Sequence, residues 1–79
     1  MDTLAGQVGK NIRRYRMARR LSQEQLSERV DIHYTFLGHI ERGNRLPSLN
    51  TLCRLAQALR VPISAFLKGI SQTVPHLDP

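Results

Sequence analysis

Cysteine and tryptophan are nearly absent from this chain, which has one cysteine and no tryptophan among its 79 residues. A single thiol excludes an internal disulfide and any zinc site that is built from several cysteines. We interpret Cys53 as a small, partly buried residue of a helix. The histidines His33, His39 and His76 share no ligand spacing with one another or with a pair of carboxylates. We therefore predict no metal site and no cofactor.

Long apolar runs are also missing. No stretch approaches the roughly 18 apolar residues of a membrane-spanning helix, and the N-terminus has no apolar signal region. We therefore expect a cytoplasmic protein without a membrane partner. The chain lacks paired carboxylates, a glycine loop for phosphates and a set of nucleophile, base and orienting residue, so we do not expect an enzyme.

Acidic residues are few compared with basic ones. The chain has 12 Lys and Arg against 6 Asp and Glu, a formal net charge of +6 at pH 7. This excess suits a polyanion such as nucleic acid, although it also suits an anionic membrane surface or simple solubility. A chain of 79 residues permits one domain with a modest core. We assign that domain to residues 1–70 and expect the proline-containing segment 71–79 to be a flexible tail.

Apolar residues recur at helical spacing through most of the chain, which predicts an all-α fold. Ser22 and Ser48 are suited to cap helices, whereas Gly43 and Gly69 are suited to end them. The periodic segments predict five helices, at about residues 4–20, 23–30, 33–42, 49–59 and 62–68.

The segment from Leu21 to Gly43 is the most informative part of the sequence. Ser22 is followed three residues later by Gln25, the spacing of a capping box. Leu26 and Val30 then fall on one helical face, and a second periodic run resumes almost at once. Two helices joined by a short turn within about twenty residues form the geometry that places a second helix in a major groove.

From Val8 to Phe66 the sequence resembles the single-domain helix-turn-helix family of the lambda-repressor and Cro type, also called XRE-type. The resemblance implies a compact, all-α, five-helix domain of the lambda-repressor type that binds double-stranded DNA. The residues that match the family pattern, in order, are Gly9, Ile12, Arg16, Leu21-Ser22-Gln23-Glu24-Gln25-Leu26, Leu37, Ile40-Glu41-Arg42-Gly43, Pro47-Ser48-Leu49, Leu52, Leu55-Ala56, Leu59 and Val61.

The third predicted helix is the recognition helix in this resemblance. The family's base-contacting positions fall on Tyr34, Thr35 and His39, although each of these residues taken singly also fits plain exposed surface. Gly38 stands where the family usually carries a side chain, and this face lacks a Gln, Asn or Arg able to make a bidentate base contact. We therefore expect modest direct readout, with phosphate contacts and DNA deformability supplying much of the binding.

Phosphate contacts are expected on both sides of the recognition helix. Gln23 opens the second helix, whose N-terminal N–H groups can bind an anion. His33 stands where the family usually has a Ser or Thr cap, so the third helix starts either from Asp31 or with a poorer cap. We assign phosphate contacts to Gln23, His33, Arg42, Asn44 and Arg45, with solvated surface charge as the alternative for each arginine.

Arg16 and Glu41 are expected to differ from the other charges. The resemblance implies that they pair across the first and third helices as a structural clamp. The remaining arginines near the end of the first helix either attract DNA in general or are solvated surface. These are Arg13, Arg14, Arg19 and Arg20.

Dimerisation is expected because a domain of this size reads only about four or five base pairs. The apolar residues Ile63, Phe66, Leu67 and Ile70 exceed what one short helix buries locally, so we predict an isologous dimer contact there. The alternative for Ile63 and Phe66 is that they close the core of the monomer.

The sequence therefore predicts a transcriptional regulator that acts as a dimer on palindromic operators. A restriction–modification controller protein is the preferred kind. A phage Cro-like repressor and the antitoxin of a toxin–antitoxin pair remain open, as does a protein partner such as a toxin or RNA polymerase. The alternative from another class is an RNA- or protein-binding module.

Overall fold

The computed structural model describes residues 3–70, and all regular secondary structure within that range is helical. Four α-helices are followed by one short 3₁₀ helix. Their bounds are α1 Leu4–Ala18, α2 Gln23–Val30, α3 Tyr34–Glu41, α4 Leu49–Leu59 and the 3₁₀ helix Ile63–Leu67. The all-α prediction is confirmed, whereas the fifth helix is a 3₁₀ helix. The predicted tail 71–79 and His76 lie outside the described residues.

The four α-helices each begin at a side chain that accepts a hydrogen bond from the backbone of the first turn. In order, these caps are Thr3, Ser22, His33 and Ser48. The predicted capping box is complete, with the Gln25 N–H donating to Ser22 Oγ at 3.0 Å and the Ser22 N–H donating to Gln25 Oε1 at 2.8 Å. These bonds satisfy donors that have no partner inside the helix.

Residues in the left-handed backbone conformation help to define three helix ends. Arg20 has a φ of 58°, so α1 ends at Ala18, short of its predicted end. Asp31 and Arg60 cap the C-termini of α2 and α4 in the same conformation, with φ values of 57° and 59°. The αL conformation is a common way to end a helix, although it favours glycine.

One apolar core joins all five elements. Phe66 has no exposed surface and closes the core from the 3₁₀ helix. Buried Asn11 fixes this element to α1, because its Nδ2 donates to the carbonyl oxygens of Phe66 at 2.8 Å and Lys68 at 3.0 Å. The buried apolar residues are Val8, Ile12, Leu26, Val30, Leu37, Ile40, Leu55, Ala56, Leu59 and Phe66.

Some of the burial predicted from the sequence is wrong. Phe66 is fully buried, so its side chain is not available to the predicted dimer contact and instead closes the monomer core. Cys53 is exposed rather than partly buried. Leu49, the first residue of α4, is 69% exposed because it precedes the part of the helix that packs on the core.

Helices α1 and α3 approach one another closely at Gly9. A Cβ at this position would lie 2.2 Å from the carbonyl oxygen of Ile40 and 2.8 Å from that of Glu41. Both contacts are with backbone, which cannot move aside as the end of a flexible side chain can. A side chain at position 9 would therefore prevent this close approach of α1 and α3, which explains the glycine.

Replacing Gly9 with alanine should destabilise the fold, because the new methyl group overlaps the backbone of α3. Overpacking of this kind costs about 1–3 kcal/mol or more in the free energy of unfolding, which urea denaturation followed by circular dichroism measures. Gly6→Ala is the matched control in the same helix. Its methyl group would meet only the Thr3 hydroxyl, at 3.2 Å, so its stability should stay within about 1 kcal/mol of wild type. Equal losses in the two variants would contradict this account.

Candidate nucleic-acid interface

Helix α3 exposes one side because its other side is held in the core. Leu37 and Ile40 are fully buried, whereas Tyr34 is 50% exposed and Thr35 is exposed. His39 follows Thr35 by four residues and lies on the same face, partly exposed. The three residues predicted to contact bases are therefore adjacent on one side of α3.

His33 forms the start of this face. Its Nδ1 accepts a hydrogen bond from the Thr35 backbone N–H at 3.1 Å, so His33 itself caps α3. Asp31, the alternative start, instead caps the C-terminus of α2. The His33 ring also stacks on Tyr34, with centroids 4.7 Å apart. When Nδ1 accepts, the neutral ring carries its proton on Nε2, which can donate to an external acceptor.

A polar network locks α1, α2 and α3 together beneath the same surface. Arg16 Nε donates to Glu41 Oε2 at 2.7 Å and Arg16 Nη2 donates to Oε1 at 2.9 Å, a bidentate pair. Arg16 Nη1 also donates to the carbonyl of Leu21 at 2.8 Å. The predicted pairing of Arg16 with Glu41 is therefore present, and the side chain of Glu41 is only 2% exposed.

Gln23 joins this network from the first residue of α2. Its Nε2 donates to Glu41 Oε1 at 3.1 Å. An amide nitrogen has two hydrogens, so the second remains available to an acceptor outside the protein. The contact places Gln23 beside α3 at the N-terminal end of α2, where backbone N–H groups favour anions.

The predicted phosphate residues after α3 are exposed. Asn44 and Arg45 lie in the segment between α3 and α4. The Arg45 guanidinium carbon lies 5.7 Å from the centroid of the Phe36 ring, a cation–π distance. Arg42 differs from these two, because its Nη2 lies 3.3 Å from His39 Nδ1 and its side chain therefore folds back along α3.

The four arginines near the end of α1 lie in different surroundings, and Arg20 is exposed. Arg13 and Arg14 line a shallow cleft with Lys10, Met17 and Glu41. Arg19 instead has a structural contact, because its Nε donates to the Leu59 carbonyl at the end of α4, at 2.9 Å. Sequence reasoning did not predict this bond, nor the similar one from Arg54 to the Val30 carbonyl at the end of α2.

The residues assigned to a dimer contact lie away from α2 and α3. Leu67 is 50% exposed at the end of the 3₁₀ helix, and Ile63 and Ile70 are partly buried against the core. Among residues 3–70, no group of three or more His, Cys, Asp or Glu could hold a metal ion, and no helix is long and apolar enough to cross a membrane.

Comparison with known proteins gives a consistent family signal. A family model described as Helix-turn-helix matches residues 12–66. The chain is 42% identical over 60 residues to control protein C.SmaI of Serratia marcescens. The aligned segment covers 76% of this chain and 71% of C.SmaI. The chain is also 40% identical over 60 residues to the immunity repressor protein of Bacillus phage phi105. This alignment covers 76% of the chain but only 42% of the length of the phage repressor.

A solved structure supports the same likeness. The restriction-modification controller protein C.AhdI from Aeromonas hydrophila superposes with a TM-score of 0.76 at 32% identity. The match covers 78% of this chain and 94% of that one.

Changing Glu41 to glutamine should destabilise the domain, because the guanidinium of Arg16 would lose its anion in a largely buried place. Removing one partner of a buried pair costs on the order of 3 kcal/mol in the free energy of unfolding, measurable by urea denaturation. Glu24→Gln is the control, since Glu24 is an exposed carboxylate of α2 and should cost less than about 0.5 kcal/mol. A loss for Glu41→Gln as small as that of the control would show that the pair is no clamp.

Proposed function

The chain belongs to the XRE-type helix-turn-helix family and is a DNA-binding transcriptional regulator, and on this basis we propose that it acts as a homodimer on palindromic operators. The observation that supports the proposal best is the network around Glu41. It joins Arg16 of α1 and Gln23 of α2 to the last residue of α3. One anion-binding helix start is therefore fixed beside the exposed face of the recognition helix.

Base contacts are assigned to Tyr34, Thr35 and His39 on α3. His39 Nδ1 lies beside the Arg42 guanidinium at 3.3 Å, and as an acceptor there it leaves its proton on Nε2. That proton can be donated to a purine N7 or O6. The Thr35 hydroxyl can donate or accept, and its methyl group can contact a thymine methyl group.

Phosphate contacts are assigned on both sides of α3. The second amide hydrogen of Gln23 and the Nε2 proton of His33 are donors at the N-terminal ends of α2 and α3. Asn44 and Arg45 are exposed after α3 and supply donors on the far side. Such contacts fix the position of the protein on the duplex without reading sequence.

A second copy of the chain is assigned to the surface around Leu67. A leucine that is half exposed beside the partly buried Ile63 and Ile70 leaves apolar surface at one end of the domain. Two copies related by a two-fold axis would cover this surface on both chains, and would present two recognition helices to an inverted repeat.

A restriction–modification controller protein is the kind of regulator we propose. The support is the 42% identity to control protein C.SmaI and the 94% coverage of the controller protein C.AhdI. A phage repressor is the second candidate, supported by the 40% identity to the immunity repressor of phage phi105. That relative is much longer, since the chain spans only 42% of its length.

The proposal predicts that the protein selects an inverted repeat from a random pool of duplex DNA at near-physiological salt. Sequencing the retained DNA should show half-sites about one helical turn apart. A variant with Thr35→Ala and His39→Ala should stay folded but lose the enrichment, keeping only salt-dependent binding. An unenriched wild-type pool would contradict operator recognition, and equal competition by RNA would favour an RNA-binding module.

The proposed dimer predicts that Leu67→Glu yields a monomer at tens of micromolar, where the wild-type chain sediments as a dimer. The charge would have to be buried in the apolar contact, at a cost that association cannot offset. Leu46→Glu is a closely matched control, because Leu46 is also 50% exposed but lies in the segment between α3 and α4. It should leave the sedimenting mass unchanged. A wild-type chain that remains monomeric, alone and on DNA, would refute the dimer.

A further inference from the structure

Gly38 leaves a gap on the outward face of α3, and the end of the Arg42 side chain lies at that gap. A Cβ at position 38 would lie 3.0 Å from Arg42 Nη1 and 3.7 Å from Arg42 Cζ. Gly38 is nevertheless buried, although it lies on the face that also carries Tyr34, Thr35 and His39. The guanidinium therefore lies alongside the backbone of α3, where a side chain from position 38 would begin.

Helix geometry explains how Arg42 reaches this place. Side chains on a helix point back toward its N-terminus, and residues four apart lie one above the other. Arg42 follows Gly38 by four residues, so its long side chain runs back over the preceding turn. Any larger residue at position 38 would compete for the same volume.

The neighbours of the guanidinium hold it without using up its donors. Arg42 Nη2 contacts His39 Nδ1 at 3.3 Å, which involves one of the five N–H groups of the arginine. The nearby carboxylate of Glu41 is already engaged, since Arg16 donates to both of its oxygens and Gln23 donates to Oε1. The planar fork of Arg42 thus remains available to a ligand.

We propose that Arg42 reads a guanine in the major groove from above Gly38, and is therefore a specificity-determining residue rather than a phosphate contact. This inference rests on the proposed operator binding. Guanine presents O6 and N7 as adjacent acceptors, which an arginine fork binds with two parallel hydrogen bonds. Arg42 lies beside His39, a proposed base contact, and so supplies the bidentate donor that the rest of the face lacks.

The glycine has a purpose in this arrangement despite its cost to the helix. Glycine inside a helix is less stable than alanine, and position 38 has a helical backbone that alanine can adopt. Apart from the backbone of α3 itself, the three atoms nearest to such a methyl group belong to the side chains of Arg42 and Gln23, the latter with Oε1 at 3.6 Å. Alanine should therefore stabilise α3 while pushing the guanidinium aside.

The experiment measures affinity for the selected operator and for versions with each base pair replaced in turn. Replacing one particular G·C pair in each half-site should lower the affinity of the wild-type protein by roughly 5- to 150-fold, the range for a bidentate contact. Arg42→Lys keeps the charge but not the fork, and should remove the preference at that pair alone. Gly38→Ala should also weaken that preference, while raising the Tm by roughly 2–8 °C.

Arg29→Lys is the matched control, because Arg29 is exposed on α2 and lines a cleft toward α4 that includes no residue of α3. It should leave every base preference unchanged. If Arg42→Lys leaves the wild-type preferences intact or weakens binding to all duplexes equally, Arg42 contacts a phosphate or does not contact DNA. The guanine-reading role then fails, while the proposed operator binding stands. If Gly38→Ala keeps the full guanine preference, the role given to the gap is wrong. If the wild-type protein selects no operator, the proposed function itself fails.

Discussion

The bidentate pair between Arg16 and Glu41 is the constraint on which the proposed DNA-facing surface depends. It joins the end of α3 to α1, and Gln23 donates to the same carboxylate from the start of α2. The Glu41 side chain is 2% exposed, and its carboxylate accepts from the guanidinium of Arg16 and the amide of Gln23. Because the burial of an ion is tolerated only with complete hydrogen bonding, the three helix positions are coupled. The relative placement of α2 and α3 follows from this coupling.

Backbone packing complements the ion pair. Gly9 lets α1 come against the last turn of α3, since a Cβ there would meet the Ile40 carbonyl at 2.2 Å. Arg19 and Arg54 donate to carbonyls at the ends of α4 and α2, which satisfies acceptors that the helices leave open. Several arginines of the chain thus make hydrogen bonds within the domain. The net charge of +6 therefore overstates the number of arginines at hand for DNA.

The glycines at positions 9 and 38 have different roles. Gly9 is required by the fold, because backbone fills the space beside it. Gly38 differs, because the nearest atoms beside it, apart from the backbone of α3 itself, are the ends of flexible side chains. Its position among the proposed base contacts ties it to specificity instead. Gly38 lowers the helix propensity of α3 on the surface proposed to contact DNA, and functional surfaces are a usual place for such local rules to be broken.

Local rules in the sequence predicted the four α-helices and the starts of α2 and α4. Hydrophobic spacing and capping residues such as Ser22 act within a few residues, so α2 and α4 follow from the sequence within their observed bounds. The pairing of Arg16 with Glu41 came from the family resemblance. Only the tertiary structure decided that Phe66 lies in the core, that Leu49 is exposed and that Arg42 lies over Gly38. These outcomes depend on which other helix occupies the neighbouring space, and a periodic pattern carries no information about distant partners.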